Sequence, residues 1–94
     1  MRMGICVKRN GEVLAACDEG LVGKKFEEKE LVLDIKKSFY YGEVVGEEEL
    51  SRMLAEAKNI NLVGEQTINI AKRDKLVGKV GRIKGVPYAI IFKV

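Results

Sequence analysis

The side chains best suited to chemistry are cations crowded near the end of the chain. Residues 66–94 hold seven basic side chains and one acidic one, whereas residues 1–65 hold ten basic and thirteen acidic ones. Cations at that density are typical of surfaces that bind phosphate groups. A solvated surface of a thermophilic protein explains the same charges, and no nucleic-acid motif accompanies them. The candidate nucleic-acid-binding residues are Lys72, Arg73, Lys75, Lys79, Arg82 and Lys84.

Aromatic residues lie beside two further lysines, Lys36 and Lys37. Aromatic rings next to cations can stack on the bases of single-stranded nucleic acid. Tyr40 and Tyr41 are therefore candidate stacking residues, while Phe39 is expected to be in the core.

The chain has no histidine, so it lacks the commonest general base and the commonest zinc ligand. A hairpin turn at Asn10-Gly11 would place Cys6 and Cys17 diagonally across two strands, too far apart for an easy disulfide. We therefore expect two free, buried thiols, no metal site and no cofactor.

The acidic residues favour structural roles over catalytic ones. Glu47, Glu48 and Glu49 open a predicted helix, where carboxylates stabilise the helix dipole. Asp18 and Glu19 are expected in an exposed loop, whereas a carboxylate that performs acid–base chemistry is usually buried. We assign no catalytic residue from the sequence.

The segment Asn61-Leu62-Val63-Gly64-Glu65 predicts a tight turn into a helix. Free backbone N–H groups at such a helix start can bind a phosphate, but Glu65 already complements the dipole. We interpret Gly64 as structural and expect the Asn61 side chain to bond nearby N–H groups.

Periodicity predicts one α+β domain over residues 1–94, with a mostly antiparallel sheet and two helices packed on it. An N-terminal hairpin has strands at 3–9 and 12–18. A loop follows to residue 29, and then a strand over 30–36 with Leu31, Leu33 and Ile35 inward. Residues 37–46 are predicted to be irregular. The helices begin at Glu47, stopping at a left-handed Asn59, and at Gly64, reaching Lys75. The remaining strands are predicted at 60–63, 80–84 and 88–93.

Four blocks in order resemble a known family: residues 18–26 (DEGLVGKKF), 38–42 (SFYYG), 61–65 (NLVGE) and 85–89 (GVPYA). Over nearly its full length the chain resembles the archaeal domain-of-unknown-function family numbered four hundred and twenty-four. Its last block often has His where this chain has Tyr88, which argues against an obligatory histidine chemistry. The resemblance implies an archaeal, cytoplasmic α+β protein with a loose link to translation, and it brings no catalytic residue.

Three functions remain open. The leading one is a non-enzymatic accessory protein that binds RNA or ribonucleoprotein through the basic residues, which predicts a contiguous positive face. The alternative is a protein-interaction module without nucleic-acid contact, which predicts an exposed apolar patch or an unpaired sheet edge. The third is a small-molecule or hydrolytic enzyme using Asp18, Glu19 and Glu65, which predicts a concave pocket with perturbed carboxylates. The absence of a long apolar run or a signal peptide predicts a cytoplasmic protein.

Overall fold

The computed structural model describes residues 4–93, so the predicted strand start at Met3 lies outside the described residues. The strands are β1 (Ile5–Asn10), β2 (Val13–Asp18), β3 (Lys25–Glu28), β4 (Leu31–Asp34), β5 (Glu43–Val45), β6 (Asn59–Val63), β7 (Gly81–Ile83) and β8 (Val86–Phe92). The helices are α1 (Lys37–Tyr40), α2 (Glu47–Glu56) and α3 (Glu65–Arg73), and a 3-10 turn spans Glu19–Leu21.

Six strands form the main sheet in the order β5-β1-β2-β6-β8-β7, and β3 and β4 form a separate hairpin. Only β2 and β6 pair in parallel within the described sheet; the other neighbours are antiparallel. The predicted α+β class with a mostly antiparallel sheet is confirmed. Within residues 4–93, no helix is long and apolar enough to cross a membrane.

The two long helices cover one face of the sheet. α2 buries Leu50, Met53 and Leu54, whose spacing puts them on one side of the helix. α3 buries Ile68 and Ile70, and this packing outweighs the low helix propensity of β-branched residues. Both predicted helices are therefore present, but α2 ends three residues before Asn59 and α3 ends two residues before Lys75.

The β3–β4 hairpin and α1 cover the opposite face. The strand predicted over 30–36 is present as β4, whereas β3 and α1 were not predicted. Buried Ile35 and Tyr40 pack with the cysteines of β1 and β2, and Phe26 of β3 adds a partly buried ring. The sequence pattern does not predict β3, because Phe26 is its one apolar residue. Leu31 was predicted to point inward, but it lies next to the hairpin turn and is 52% exposed.

The N-terminal hairpin turns one residue later than predicted. Asn10 pairs with Val13, so Gly11 and Glu12 form the turn, and the φ of +62° at Gly11 fits a type II′ turn. The register shifts by two residues, which leaves each side chain on its predicted face. Cys6 and Cys17 are consequently directly opposite each other rather than diagonal. Both are free and buried, and burial, followed by the neighbouring Cys6 and Asp18, raises the pKa of Cys17 to about 12.

The predicted left-handed stop at Asn59 is also wrong. α2 ends at Glu56, Ala57 is already extended, and Asn59 begins β6, where it pairs with Val13 and Phe92. The chain continues from α2 into β6 in an extended conformation, so this helix end needs no left-handed residue.

Candidate functional site

A cavity of about 330 Å³ lies where the parallel strands β2 and β6 end. The carboxyl ends of parallel neighbours meet at one edge of a sheet, which is a common place for ligands in open sheets. The 3-10 turn after β2, the start of α3 and the β7–β8 turn close around it. Its lining residues are Asp18, Gly20, Leu21, Lys24, Glu65, Gly85, Val86 and Pro87.

Asp18 is the last residue of β2, and its side chain caps α3, the helix that follows β6. This contact links the ends of the two parallel strands. Its carboxylate accepts hydrogen bonds from the backbone N–H of Gln66 at 3.0 Å and of Thr67 at 2.8 Å. The buried Thr67 hydroxyl donates a third bond, at 2.7 Å. Side-chain oxygens stabilise helix starts in this way, and the negative charge also complements the dipole. Asp18, rather than the predicted Asn61, is the capping group.

Gly64 is required by this arrangement. Its φ is +107°, and a Cβ built there would lie 2.4 Å from Cγ of Asp18. Both observations require glycine, because other residues avoid this backbone conformation and no side chain fits against the carboxylate. Asn61 instead lies within β6, opposite Ala15 and Ile90.

The other carboxylates proposed for catalysis are also engaged. Glu65 forms an ion pair with Arg82 at 2.8 Å at the rim of the cavity. Glu19 accepts the backbone N–H of Gly4 at 3.3 Å. With Asp18 bound to α3, each of the three carboxylates has a structural partner. Among residues 4–93, no cluster of His, Cys, Asp or Glu forms a candidate metal site.

The two arginines of the C-terminal run lie at opposite ends of α3, so the six cations do not form one continuous surface. Arg82 pairs with Glu65 at the first residue of the helix, and Lys84 lies two residues further along, in the β7–β8 turn. Arg73, at the last residue, contacts Glu47 at 3.1 Å and Asp74 at 3.3 Å. A helix of nine residues is about 13 Å long, which separates the two arginines.

Lys72 and Lys75 lie at the end of α3, and Lys79 lies six residues after it, in the connection to β7. The N–H of Lys75 bonds the carbonyl of Lys72, and the N–H of Leu76 bonds that of Ala71. With a φ of +60° at Lys75, these bonds form a Schellman motif. Lys72, Lys75 and Lys79 are exposed, and none forms an ion pair with a carboxylate of residues 4–93. These three residues are called the lysine surface below.

The two candidate stacking tyrosines differ in exposure. Tyr40 is 7% exposed and packs edge-to-face on Phe39, and burial raises its pKa to about 12. Its ring is therefore not available to a base. Tyr41 is 46% exposed, with the Lys37 ammonium 5.4 Å from its ring centre. Tyr41 lies next to α1, on the face of the sheet that α1 covers, so it is not part of the lysine surface.

Comparison with known families decides the relationship. The family model described as "Protein of unknown function (DUF424)" matches residues 6–94. The chain belongs to this family. The resemblance predicted from the four sequence blocks is thereby confirmed.

The fold of this DUF424 chain is also found in a solved structure. An uncharacterized conserved protein from Methanopyrus kandleri superimposes with a TM-score of 0.74 and 26% sequence identity. The match covers 100% of this chain and 95% of that chain. No curated protein matches the sequence significantly.

Three of the four blocks by which the chain resembles DUF424 meet at the cavity. Residues 18–26 supply Asp18 and Lys24, residues 61–65 supply Glu65, and residues 85–89 supply Pro87. The fourth block, 38–42, contains most of α1, which packs behind β1 and β2. The capping bonds of Asp18 and the φ of Gly64 explain two of these blocks by structural roles, without any catalytic role.

Proposed function

We propose that the protein is an RNA- or ribonucleoprotein-binding accessory factor whose lysine surface contacts phosphate groups. The observation that carries the proposal is the difference in ion pairing between the arginines and the lysines of the C-terminal run. The arginines form ion pairs with carboxylates, whereas Lys72, Lys75 and Lys79 are exposed and form no ion pair within the described chain. Unpaired lysines can exchange their counterions for phosphates without first breaking an ion pair.

The local backbone favours a defined arrangement of these charges. The Schellman motif fixes the turn between Lys72 and Lys75, and Lys79 follows four residues later. Lysines at a helix C-terminus also complement the negative end of the dipole. A phosphate backbone that meets all three would release about three counterions, which gives a slope of roughly −2 in log affinity against log salt for single-stranded RNA.

This surface is narrower than the one the sequence predicted. Charge reversal at Arg73 would place a carboxylate beside Glu47 and Asp74, so it would disturb the protein as well as any RNA contact. Neutral substitutions of the lysines are the cleaner test, because exposed side chains contribute little to stability.

The experiment measures fluorescence anisotropy with total tRNA and with ribosomal RNA fragments at two salt concentrations. The Lys72→Gln/Lys79→Gln variant should weaken binding at low salt and reduce the salt slope by about 1.4. The matched control is Lys24→Gln/Lys25→Gln, which removes the same charge from exposed positions elsewhere. Absence of binding by the wild type at low salt, or equal loss in both variants, would reject the proposal.

A further inference from the structure

One edge of the main sheet is only partly covered. β8 runs from Val86 to Phe92, but β7 pairs with it only from Val86 to Tyr88. Past Tyr88, no strand of residues 4–93 pairs with β8 on that side. The connection of residues 74–80 contains no strand, and three of its residues pack into the core on the helix-covered face.

Two hydrogen bonds establish which groups point to this open side. The N–H of Lys93 donates to Lys58, and the N–H of Gly64 donates to the carbonyl of Pro87, each at 2.8 Å. Residues 87 and 93 of the chain therefore bond towards β6. Bonding direction alternates along an antiparallel strand, so Ile90 and Phe92 direct their N–H and C=O groups away from β6.

The side chains at the same two positions are apolar and solvent-exposed. Ile90 is 76% exposed and Phe92 is 73% exposed. They lie on the face opposite the long helices, beside Asn61 and Asn59 of β6. A bare edge that carries exposed apolar residues is a template for pairing with another strand, and proteins normally blunt such edges.

We propose that the open edge of β8 over Ala89–Phe92 binds an extended segment of a partner protein, which adds as a further strand of the sheet. Ile90 and Phe92 offer two N–H groups and two C=O groups, which permits four backbone hydrogen bonds. Alternate apolar residues of the segment would pack on the Ile90 and Phe92 side chains.

Charge favours an acidic segment. Lys79 lies two residues before the first residue of β7. The open edge of β8 begins beside this end of β7. At the other end, a cavity of about 480 Å³ beside Phe92 is lined by Arg9, Lys58, Glu12 and Glu56, and by Lys93, whose ammonium bonds the carbonyls of Leu54 and Ala55. A second copy would bring the same lysines together on a chain whose net charge is already +3. An apolar segment with interspersed carboxylates complements the edge, and a second copy does not.

The test follows backbone amide exchange by NMR with a short synthetic peptide in which valine and aspartate alternate. In the free protein, the Ile90 and Phe92 amides should exchange rapidly, while the Ala89 and Ile91 amides are protected by β6. Excess peptide should slow exchange at Ile90 and Phe92 by up to about tenfold at 90% occupancy, because exchange then proceeds only from the free tenth of the protein. A peptide of alternating valine and lysine should have a much smaller effect.

Two variants separate edge binding from folding. Ile90→Glu should abolish the protection by the acidic peptide while keeping Ala89 and Ile91 protected, because residue 90 is exposed. Val32→Glu is the matched control, since Val32 is an exposed β-branched residue on the separate hairpin, and it should bind the peptide like the wild type.

Three results would overturn the proposal. The first is no protection of Ile90 and Phe92 by the acidic peptide at millimolar concentration, and the second is equal protection by both peptides. The third is protection without peptide that rises with protein concentration as the sedimenting mass doubles, which would identify a second copy as the occupant.

Discussion

Replacing Asp18 should be among the most damaging single changes to a partly exposed side chain. The carboxylate accepts three hydrogen bonds from the start of α3, with lengths of 3.0, 2.8 and 2.7 Å. Asp18→Ala removes all three at once. The change also leaves the hydroxyl of Thr67, a fully buried residue, without its partner.

The expected cost follows from these contacts. Loss of a helix cap costs about 1 kcal/mol, with a range of roughly 0.5–2. A buried hydroxyl left without a partner costs about 1–3 kcal/mol more. The sum is about 3 kcal/mol, a large share of the roughly 5–15 kcal/mol that stabilises a typical domain. For a chain of this size, it corresponds to a fall in Tm of roughly 12–24 °C.

The assay is urea unfolding followed by far-UV circular dichroism. Asp34→Ala is the matched control, because it removes an exposed carboxylate from β4 and should change stability by less than about 0.5 kcal/mol. Thr67→Val in the Asp18→Ala background removes the orphaned hydroxyl while keeping the side-chain shape. The double variant should therefore recover about 1 kcal/mol relative to Asp18→Ala.

Two outcomes would refute this reasoning. One is a cost below about 1 kcal/mol for Asp18→Ala, because that would mean that the cap contributes little. The other is a double variant no more stable than Asp18→Ala, because that would mean that the buried hydroxyl is not the source of the cost.

The remaining predictions concern backbone strain and buried thiols. Gly64→Val should destabilise the protein by about 3 kcal/mol or more, because valine is strained at a φ of +107° and its Cβ would displace Asp18; an unchanged thermal midpoint would contradict this. Lys75→Gly should stabilise the protein by about 1 kcal/mol in the same assay, because glycine adopts the φ of +60° without strain; Lys72→Gly, inside the helix, should destabilise it instead. Alkaline pH should weaken the wild type under reducing conditions. The Cys17 thiol ionises from its ordinary pKa of 9.0 in the unfolded chain but only near 12 in the folded protein. Its stabilising contribution is complete below pH 9.0 and is lost as pH rises towards 12, at up to about 1.4 kcal/mol per pH unit. Cys17→Ala should flatten the fall in urea midpoint over this range, and an identical profile would contradict the assignment.

The parts of the fold that the sequence predicted well have a strong local pattern. α2 repeats its apolar residues at helical spacing after three acids, and the centre of β6 is a short apolar run. The turn of the first hairpin was misplaced because Asn10-Gly11 matches a type I′ turn, whereas Gly11 supplies its positive φ at the first central position. Alternating side chains kept their faces because the resulting shift is even.

The parts that were missed depend on distant contacts. Asp18 caps a helix that begins 47 residues later in the chain, so no local pattern marks it as a cap. The basic run looked continuous because the partners of Arg73 and Arg82 include Glu47 and Glu65, which lie outside the run. Tyr40 and Tyr41 are adjacent in sequence, and only the packing of α1 on the sheet determines which ring is buried.

The parallel pairing of β2 with β6 divides the sheet into two halves that are each continuous in the chain. β1, β2 and β5 belong to the first half, and β6, β7 and β8 to the second. Within the first half, 32 residues separate β1 from its partner β5, and 40 residues separate β2 from β6 at the junction between the halves. Asp18 spans the same junction. Two fragments cut between α2 and β6 would each keep three neighbouring strands of the main sheet, and we expect them to reassemble at this junction.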